Sequence, residues 1–130
     1  MEINSFFNLS LDLVRRILVI LRLIQNPNLI AKITEEYPHP DALVIGKIIV
    51  VQDGKRKKWA CLRCPGGCGE KIQLSLNSIR HPYWIIRLDY LNRPSIHPSI
   101  RQLNTCRCHF FVKNGVVNWC SDSGHLNRQY

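Results

Sequence analysis

Apolar residues near the start of the chain recur with the period of an α-helix. Between Phe6 and Ile24 they follow three- and four-residue steps and form a wide apolar face. Ser5 or Ser10 can cap the start of this helix, and Asn26-Pro27-Asn28 can end it. Three arginines, Arg15, Arg16 and Arg22, interrupt this segment. Burying their charges in a bilayer costs several kcal/mol, so we predict no transmembrane segment. The helix can cover the core, form the seam of a homo-oligomer, or bind a partner groove or an anionic membrane surface.

The pattern changes from helical to β near residue 40. Residues 29–40 predict a short helical turn followed by a rigid connector, since Pro38 and Pro40 flank His39. This connector is the predicted boundary between an N-terminal segment, 1–40, and a β domain, 41–130. Short apolar or alternating runs beyond it predict about six strands. The runs lie at 43–51, 58–62, 72–76, 83–89, 107–112 and 116–119.

Two dipeptides, Asp53-Gly54 and Asn114-Gly115, are strong signals for turns between strands. The register of the second hairpin has two solutions. A two-residue turn places Cys120 opposite His109, whereas a three-residue turn with a bulge places Cys120 opposite Cys108. Both strands are apolar on both faces, so the hydrophobic pattern leaves the two registers open.

The composition is that of a globular domain with a large excess of positive charge. The chain has 130 residues, of which 45% are apolar and 21% are charged, so it can build one core but not a large multi-domain enzyme. Lys and Arg number 18 against 9 acidic residues, a formal charge of +9, which favours polyanions, acidic protein surfaces or anionic lipid as partners. The basic run from Lys55 to Lys58 is either a solvated loop tip or a contact for phosphate or an acidic partner.

The six cysteines point to a metal site rather than to disulfides. The start of the sequence lacks the pattern of a secretory leader, so we expect a cytoplasmic protein with reduced thiols. Cys61, Cys64 and Cys68 lie within eight residues, on a turn rich in Pro and Gly. A structural zinc site needs four ligands, so at least one more must come from later in the chain. The later candidates are Cys106, Cys108, His109 and Cys120.

Cys106 is the preferred fourth ligand, because it lies at the entry to a strand, where an irregular backbone can turn its thiol toward the other cysteines. We therefore predict a structural zinc ion held by Cys61, Cys64, Cys68 and Cys106. The predicted fold is α+β and mainly antiparallel β, a small zinc-ribbon-like hairpin domain with an N-terminal amphipathic helix.

His109 is the strongest candidate for catalysis, since it lies in an aromatic strand downstream of a loop, 94–99, that contains hydroxyl groups. Ser99 or Cys108 is the candidate nucleophile, with His109 as its base. Adjacent residues of a strand point to opposite faces, so Cys108 needs a local distortion to pair with His109, and Ser99 does not. The alternative is that His109 is a metal ligand or a core histidine. Three further histidines are predicted to be exposed loop residues: His39, His97 and His125.

Four segments between residues 59 and 120 follow one another in a distinctive order. They are Cys64-Pro-Gly-Gly-Cys68-Gly, Pro98-Ser99-Ile100, Cys106-Arg107-Cys108-His109-Phe110-Phe111-Val112 and Val117-Asn118-Trp119-Cys120. In this order they resemble a small cysteine-rich bacterial domain of unknown function, whose genes often neighbour those for ubiquitin-like proteins and their activating and conjugating enzymes. Members of that family usually have serine where this chain has Cys108, and commonly a cysteine where it has Gly66.

The resemblance implies a component of a bacterial ubiquitin-like conjugation pathway, in which a peptidase matures the modifier or releases it from its targets. Ser99 or Cys108 would attack the carbonyl after the modifier's last residue, His109 would move the proton, and backbone N–H groups would hold the oxyanion. Zinc would be structural, and Cys61 would supply the thiol that is missing at Gly66. The implied partners are the ubiquitin-like protein and its conjugation enzymes.

Two other functions remain open. The first is a non-enzymatic zinc ribbon that binds nucleic acid or a partner protein, which the charge of +9 and the basic run favour. The second is a zinc hydrolase, which needs an open coordination position and for which Glu70 is the nearest acidic residue to the cysteine turn.

Overall fold

The computed structural model describes residues 2–103 and 106–124, with side chains from residue 9 onward. The elements in this part of the chain are one α-helix, one 3-10 helix at Pro40–Ala42, and eight strands. They are α1 (Glu2–Ile20), β1 (Ile30–Thr34), β2 (Lys47–Asp53), β3 (Arg56–Arg63), β4 (Lys71–Ser75), β5 (Ile85–Leu88), β6 (Pro94–Arg101), β7 (His109–Lys113) and β8 (Val116–Trp119). The prediction of a mainly antiparallel β protein with an N-terminal helix is confirmed. His125 lies outside the described residues.

The strands form two four-stranded sheets. In the first, with the order β1-β2-β3-β4, β1 runs parallel to β2 and the other neighbours are antiparallel. The second, with the order β5-β6-β7-β8, is antiparallel throughout. One apolar core contains side chains of both sheets, including Ile48 and Leu62 of the first and Ile96 and Phe110 of the second. Each sheet therefore has one face in a shared core. The other face of the first sheet packs a smaller apolar cluster, whereas that of the second sheet is more exposed.

Two segments for which the sequence predicted no strand contain one. Residues 29–40 contain β1 rather than a helical turn, and its parallel pairing with β2 joins the segment before residue 40 to the sheet after it. Residues 94–101, where prolines favour a loop, form β6. A strand can include Pro98 here because the pairing of β6 with β7 is irregular between Ile96 and Ile100.

The helix α1 begins earlier than predicted, and from Leu9 onward several of its large apolar side chains are exposed. Its range starts at Glu2, so Ser5 and Ser10 lie inside the helix rather than at its cap. Arg15 is buried, and its guanidinium donates a hydrogen bond of 2.6 Å to the carbonyl oxygen of Leu91. Among the described residues, no helix has both the length and the apolar character needed to cross a bilayer.

The last hairpin adopts the first of the two registers considered above. Asn114 and Gly115 form a two-residue turn between β7 and β8, and both have positive φ, at 50° and 76°. The N–H of Cys120 donates to the carbonyl oxygen of His109 at 2.9 Å. The residues that follow Cys120 are therefore returned to the neighbourhood of His109.

Candidate active site and cysteine cluster

Ser99 and His109 are in contact on the outer face of the second sheet. The Oγ atom of Ser99 lies 2.9 Å from Nε2 of His109. Between Ile96 and Ile100, β6 contains two more residues than the stretch of β7 that faces it, and such bulges redirect side chains near functional sites. The indole N–H of Trp84 donates to the carbonyl oxygen of Ser99 at 3.2 Å, which helps to fix the backbone of the bulge.

Asp122 extends this contact to a line of three side chains. Its Oδ1 atom lies 2.6 Å from Nδ1 of His109. Because an ionised carboxylate only accepts hydrogen bonds, we assign the proton to Nδ1, which leaves Nε2 to accept the hydroxyl proton of Ser99. Unrelated hydrolases use the same order of hydroxyl, imidazole and carboxylate to make a serine nucleophilic.

Arg101 contacts Asp122 from another side. Its Nη2 atom donates to Oδ2 of Asp122 at 2.5 Å and lies 3.0 Å from Nδ1 of His109. The hydrogen bond from His109 lowers the pKa of the Asp122 carboxyl below its ordinary value; burial opposes this shift, and Arg101 adds to it. The side chain of Asp122 is 54% exposed and that of His109 only 17%. The imidazole is thus shielded, while an ionised carboxylate holds its outer nitrogen.

The turn that carries Asp122 is held by buried contacts. Ser123 is fully buried, and its Oγ accepts a hydrogen bond of 3.0 Å from the backbone N–H of His109. The N–H of Gly124 donates to the carbonyl oxygen of Arg107 at 2.8 Å, and a Cβ at Gly124 would collide with the backbone there. The turn is therefore fixed between the strand that carries His109 and the segment that precedes it.

Four thiols meet within the core that the two sheets share. The Sγ atom of Cys64 lies 3.4 Å from that of Cys106 and 3.3 Å from that of Cys108, and the last two lie 2.7 Å apart. The thiol of Cys68 lies within 4.8 Å of those of Cys64 and Cys106. Side chains two residues apart on a regular strand are separated by about 6.6 Å. The positive φ of Arg107, 52°, marks the irregular backbone that brings its two neighbours together.

Burial and mutual contact shift the pKa values of three of these thiols, those of Cys64, Cys106 and Cys108. Burial raises the pKa of Cys64 well above its ordinary value, and burial together with the hydrogen bond to Cys106 raises that of Cys108 to about 11. Burial acts in the same direction on Cys106, but hydrogen bonds from the neighbouring thiols outweigh it and lower the pKa of Cys106 to about 7. Among these three thiols, the environment therefore favours the thiolate at Cys106, whereas a bound metal cation would favour thiolates at all of its cysteine ligands.

Gly66 provides the space in which these thiols converge. A Cβ at Gly66 would overlap Sγ of Cys108 and would lie 3.5 and 3.7 Å from the Sγ atoms of Cys64 and Cys106. The backbone of Gly66 also forms a hydrogen bond to the sulfur of Cys64. Cys64, Cys68 and Cys106 lie close enough together to hold a metal ion, and Cys108 contacts two of them.

Three of the four predicted metal ligands come together, and Cys61 does not join them. On β3, Ala60 and Leu62 point into the shared core, so the intervening Cys61 points to the opposite face of the sheet. There it packs against Leu43 and Ile49 in a separate apolar cluster. Burial raises the pKa of the Cys61 thiol, which is typical of a small buried apolar side chain.

Of the three predicted catalytic residues, Ser99 and His109 are in contact and Cys108 is not part of this contact. The thiol of Cys108 is fully buried in the cysteine cluster. Sequence reasoning missed Asp122 and Arg101. The available signal for Asp122 was its position in a Ser/Asp/Gly turn just after the second hairpin, because the two-residue register returns that turn to His109.

The contact between Ser99 and His109 and the cysteine cluster both lie in a segment that matches a known protein family. The family model described as bacterial ubiquitination-like system serine protease (BubE) matches residues 34–120, two thirds of the chain. No curated protein and no solved structure matches the chain. The chain therefore belongs to the BubE family, and its predicted link to bacterial ubiquitin-like conjugation systems is confirmed.

Proposed function

We propose that this member of the BubE family is a serine peptidase that cleaves after the C-terminal residue of a ubiquitin-like modifier, either to mature the modifier or to release it from a target. Ser99 is the nucleophile, His109 the general base and Asp122 the residue that orients the imidazole. The observation that carries the proposal is the pair of hydrogen bonds, 2.9 and 2.6 Å long, that joins the three side chains. Membership of a family described as serine proteases supports the same reaction class.

The geometry suggests a two-step acyl transfer. Oγ of Ser99 attacks the carbonyl carbon at the end of the modifier while Nε2 of His109 takes its proton, which gives a tetrahedral intermediate. That intermediate expels the amine of the leaving group, which receives the proton from His109. A water molecule, deprotonated by His109, then attacks the ester, and Ser99 recovers its proton as the free modifier leaves. Throughout both steps Asp122 stabilises the imidazolium.

Ser99 is the better candidate for the nucleophile, because the thiol of Cys108 lies in the cysteine cluster and away from His109. The sulfur of Cys108 is fully buried and lies within hydrogen-bonding distance of two other thiols. A substrate carbonyl cannot reach a buried sulfur without the opening of the core. The hydroxyl of Ser99, by contrast, lies on the outer face of the sheet, where a polypeptide can bind.

The second part of the proposal is that Cys64, Cys68, Cys106 and Cys108 hold a structural zinc ion, with Cys108 in the place predicted for Cys61. Four thiolates close the coordination of zinc and leave no position for substrate, so the metal stabilises the fold and does not take part in cleavage. In this sense the domain is zinc-ribbon-like. Reduced thiols suit a cytoplasmic protein. The partners are the ubiquitin-like modifier and its conjugation enzymes, and the excess positive charge suits acidic surfaces.

A fluorophosphonate probe, which forms a phosphonate ester with an activated serine and releases fluoride, tests the catalytic assignment. The purified protein should be labelled at Ser99 and should cleave a cognate modifier precursor extended past its C-terminal residue. Ser99→Ala should abolish labelling and lower cleavage by at least about 10³-fold, with the fold and metal content unchanged. Ser78→Ala, which removes an exposed hydroxyl from a turn of the first sheet, is the matched control. Labelling that persists in Ser99→Ala would show that another residue is the nucleophile.

Two buried cysteines provide the test of the metal site. Cys108→Ala should lose most of the zinc found by elemental analysis of the purified protein, because one of the four ligands is removed. Cys61→Ala is a matched change at an equally buried position, on the face of β3 that points away from the shared core, and this variant should retain the zinc. Loss of zinc in Cys61→Ala and its retention in Cys108→Ala would instead support the ligand set that the sequence predicted, with Cys61 as the fourth ligand. A metal-free, folded protein would refute the zinc proposal altogether.

A second candidate function is nucleic-acid binding, and one cleft favours it. Arg56, Lys58 and Arg80 line this cleft together with Trp59, and the guanidinium of Arg80 lies 5.4 Å from the centre of the Trp59 ring. Cations beside an aromatic ring are typical of surfaces that bind single strands. This function predicts that the logarithm of the affinity for a single-stranded oligonucleotide falls linearly with the logarithm of the salt concentration and that Arg80→Glu weakens binding. Binding that ignores salt would remove this candidate.

Self-association through α1 is a further prediction from the sequence. Leu13, Ile17 and Ile20 are exposed on the helix at 60%, 46% and 77%. If a second copy covers them, light scattering should give the mass of a dimer for the full chain and that of a monomer for Ile17→Glu. A monomeric full chain at all accessible concentrations contradicts the prediction.

A further inference from the structure

A groove of about 530 Å³ crosses the outer face of the second sheet beside the proposed active site. The residues whose side chains line it on this face come from all four strands of the sheet. They are Ile85, Arg87, Ser95, His97, Phe111, Lys113 and Asn118, and we call this surface the outer groove. None of the described residues that line it is acidic.

The outer groove and the contact of Ser99 with His109 are parts of one surface. Phe111 follows His109 by two residues on β7, and the centres of their rings lie 6.4 Å apart. His97 precedes Ser99 by two residues on β6 and is exposed. The buried side chains between them, such as Phe110, point to the opposite face of the sheet. A polypeptide bound with its scissile carbonyl at Ser99 therefore has the outer groove directly within its reach.

The chemistry of the outer groove is apolar in its floor and cationic at its sides. Phe111 is 46% exposed and Ile85 is 50% exposed, although both are large apolar side chains on regular strands. Arg87 and Lys113 are exposed on the same face. An apolar side chain of a ligand would bury carbon surface against the ring of Phe111 and the branched side chain of Ile85. An acidic side chain would meet the cations of Arg87 and Lys113, and no acidic residue among those described in the groove would repel it.

The proposed reaction identifies which part of a substrate can use such a groove. A precursor and a conjugate have different groups after the scissile bond, but both have the same modifier tail before it. A groove built into the sheet contributes to every turnover only if it binds the shared part. An extended chain advances about 3.3 Å per residue, so the outer groove begins about two residues, and continues to about four residues, from the scissile bond.

Resting on the proposed function, we propose that the outer groove binds the C-terminal tail of the ubiquitin-like modifier. An apolar side chain about two to four residues before the scissile bond packs on Phe111 and Ile85. An acidic side chain next to it lies between Arg87 and Lys113. The groove thereby selects the modifier and aligns its last carbonyl with Ser99.

A library of short peptide amides of aminomethylcoumarin, with each position before the amide varied in turn, tests this assignment. The unsubstituted protein should prefer a large apolar residue and a neighbouring Asp or Glu at the positions that the outer groove covers. Phe111→Ala should raise KM for the preferred peptides about tenfold, with a smaller change in kcat, because the lost contact lies away from the reacting bond. The double variant Arg87→Glu, Lys113→Glu should reverse the preference from acidic to basic side chains by about tenfold or more.

The controls separate failure of this assignment from failure of the proposed function. Fluorophosphonate labelling of Ser99 does not need the outer groove and should proceed at the same rate in all these variants. Lys55→Glu reverses an exposed charge on the other sheet and should leave the peptide preference unchanged. Normal labelling with an unaltered peptide preference in the groove variants would overturn the role of the outer groove. A failure of the unsubstituted protein to label would overturn the proposed function and the substrate assignment with it.

Discussion

At the scale of single residues, the carboxylate of Asp122 determines which nitrogen of His109 carries a proton. Its hydrogen bond of 2.6 Å keeps that proton on Nδ1, so that Nε2 can accept from Ser99. Asp122→Asn replaces one acceptor by an amide that can also donate, which favours the wrong tautomer. We expect kcat to fall by about 10²- to 10⁴-fold while KM changes little. Steady-state kinetics on a modifier precursor measure both constants.

The matched control for this prediction is Asp41→Asn, which makes the same chemical change at an exposed position near the 3-10 helix. It should leave kcat unchanged. Full activity in Asp122→Asn would remove Asp122 from the proposed machinery and leave a dyad of Ser99 and His109.

The lowered pKa of Asp122 also predicts how stability depends on pH. A carboxyl group whose pKa is lower in the folded than in the unfolded protein stabilises the fold fully above the unfolded value, near 3.9, and this contribution disappears as the pH falls through the folded value. Urea unfolding of the unsubstituted protein and of Asp122→Asn at several pH values measures the difference in their free energies of unfolding. This difference should shrink as the pH is lowered below about 4. A difference that grows in acid would contradict the sign of the shift.

The candidate site shows which residue roles a sequence can reveal. The sequence could predict the contact of Ser99 with His109, because the two residues belong to neighbouring segments of the chain. Pairing of those segments in one sheet is enough to bring a serine and a histidine together. Cys61 and Cys108 could not be told apart as ligands, because spacing alone does not say which face of a strand a thiol occupies. Because side chains alternate along β3, the face that Cys61 occupies follows only when the neighbouring Ala60 is known to point into the core.

At the scale of elements, the loop over the cysteine cluster depends on the absence of a side chain at Gly66. Its φ is not in the left-handed region, unlike that of Gly67 at 87°, so Gly66 is needed for space and Gly67 for its backbone conformation. In Gly66→Ala the new Cβ displaces Sγ of Cys108, and we expect a loss of about 1 to 3 kcal/mol in the free energy of unfolding together with weaker zinc binding. Urea unfolding and competition with a zinc indicator measure the two effects.

Gly67→Ala is the control, since a Cβ there meets no atom within 4 Å. It should lose about 1 kcal/mol through backbone strain and still retain zinc with ordinary affinity. Equal zinc affinity in the two variants would show that the space at Gly66 is not what the cluster requires.

The hairpins were the most predictable elements, and β6 was the least. Asn114-Gly115 predicted a turn because both residues tolerate positive φ, and the structure has that turn. Pro94 and Pro98 argued against a strand, since proline cannot donate to a ladder. The irregular pairing that accommodates Pro98 also turns Ser99 toward His109. The same irregularity therefore made β6 difficult to predict and forms part of the candidate site.

At the scale of the whole molecule, the pairing of distant segments was beyond the sequence pattern. The parallel pairing of β1 with β2 needs a long connection that returns the chain to the start of β1, where the N–H of Ile30 donates to the carbonyl oxygen of Gly46 at 2.9 Å. Periodicity in a five-residue strand does not specify a partner. The shared core follows from the alternation in each sheet, but the order of the strands does not.

The cysteine cluster is part of that shared core, and this position predicts what metal removal should do. Cys64, Cys106 and Cys108 belong to the same apolar cluster as Phe110, which follows His109 on β7. Structural zinc sites contribute on the order of 10 kcal/mol to folding, which is comparable with the whole free energy of unfolding of a small domain. A strong zinc chelator should therefore abolish the near-ultraviolet circular dichroism of the tryptophans and the labelling of Ser99 at the same chelator concentrations, and added zinc should restore both. A chelator that stops cleavage while the dichroism persists would instead assign the metal to catalysis and favour a zinc hydrolase. Retention of both signals in metal-free protein would show that the two sheets hold the site without a metal.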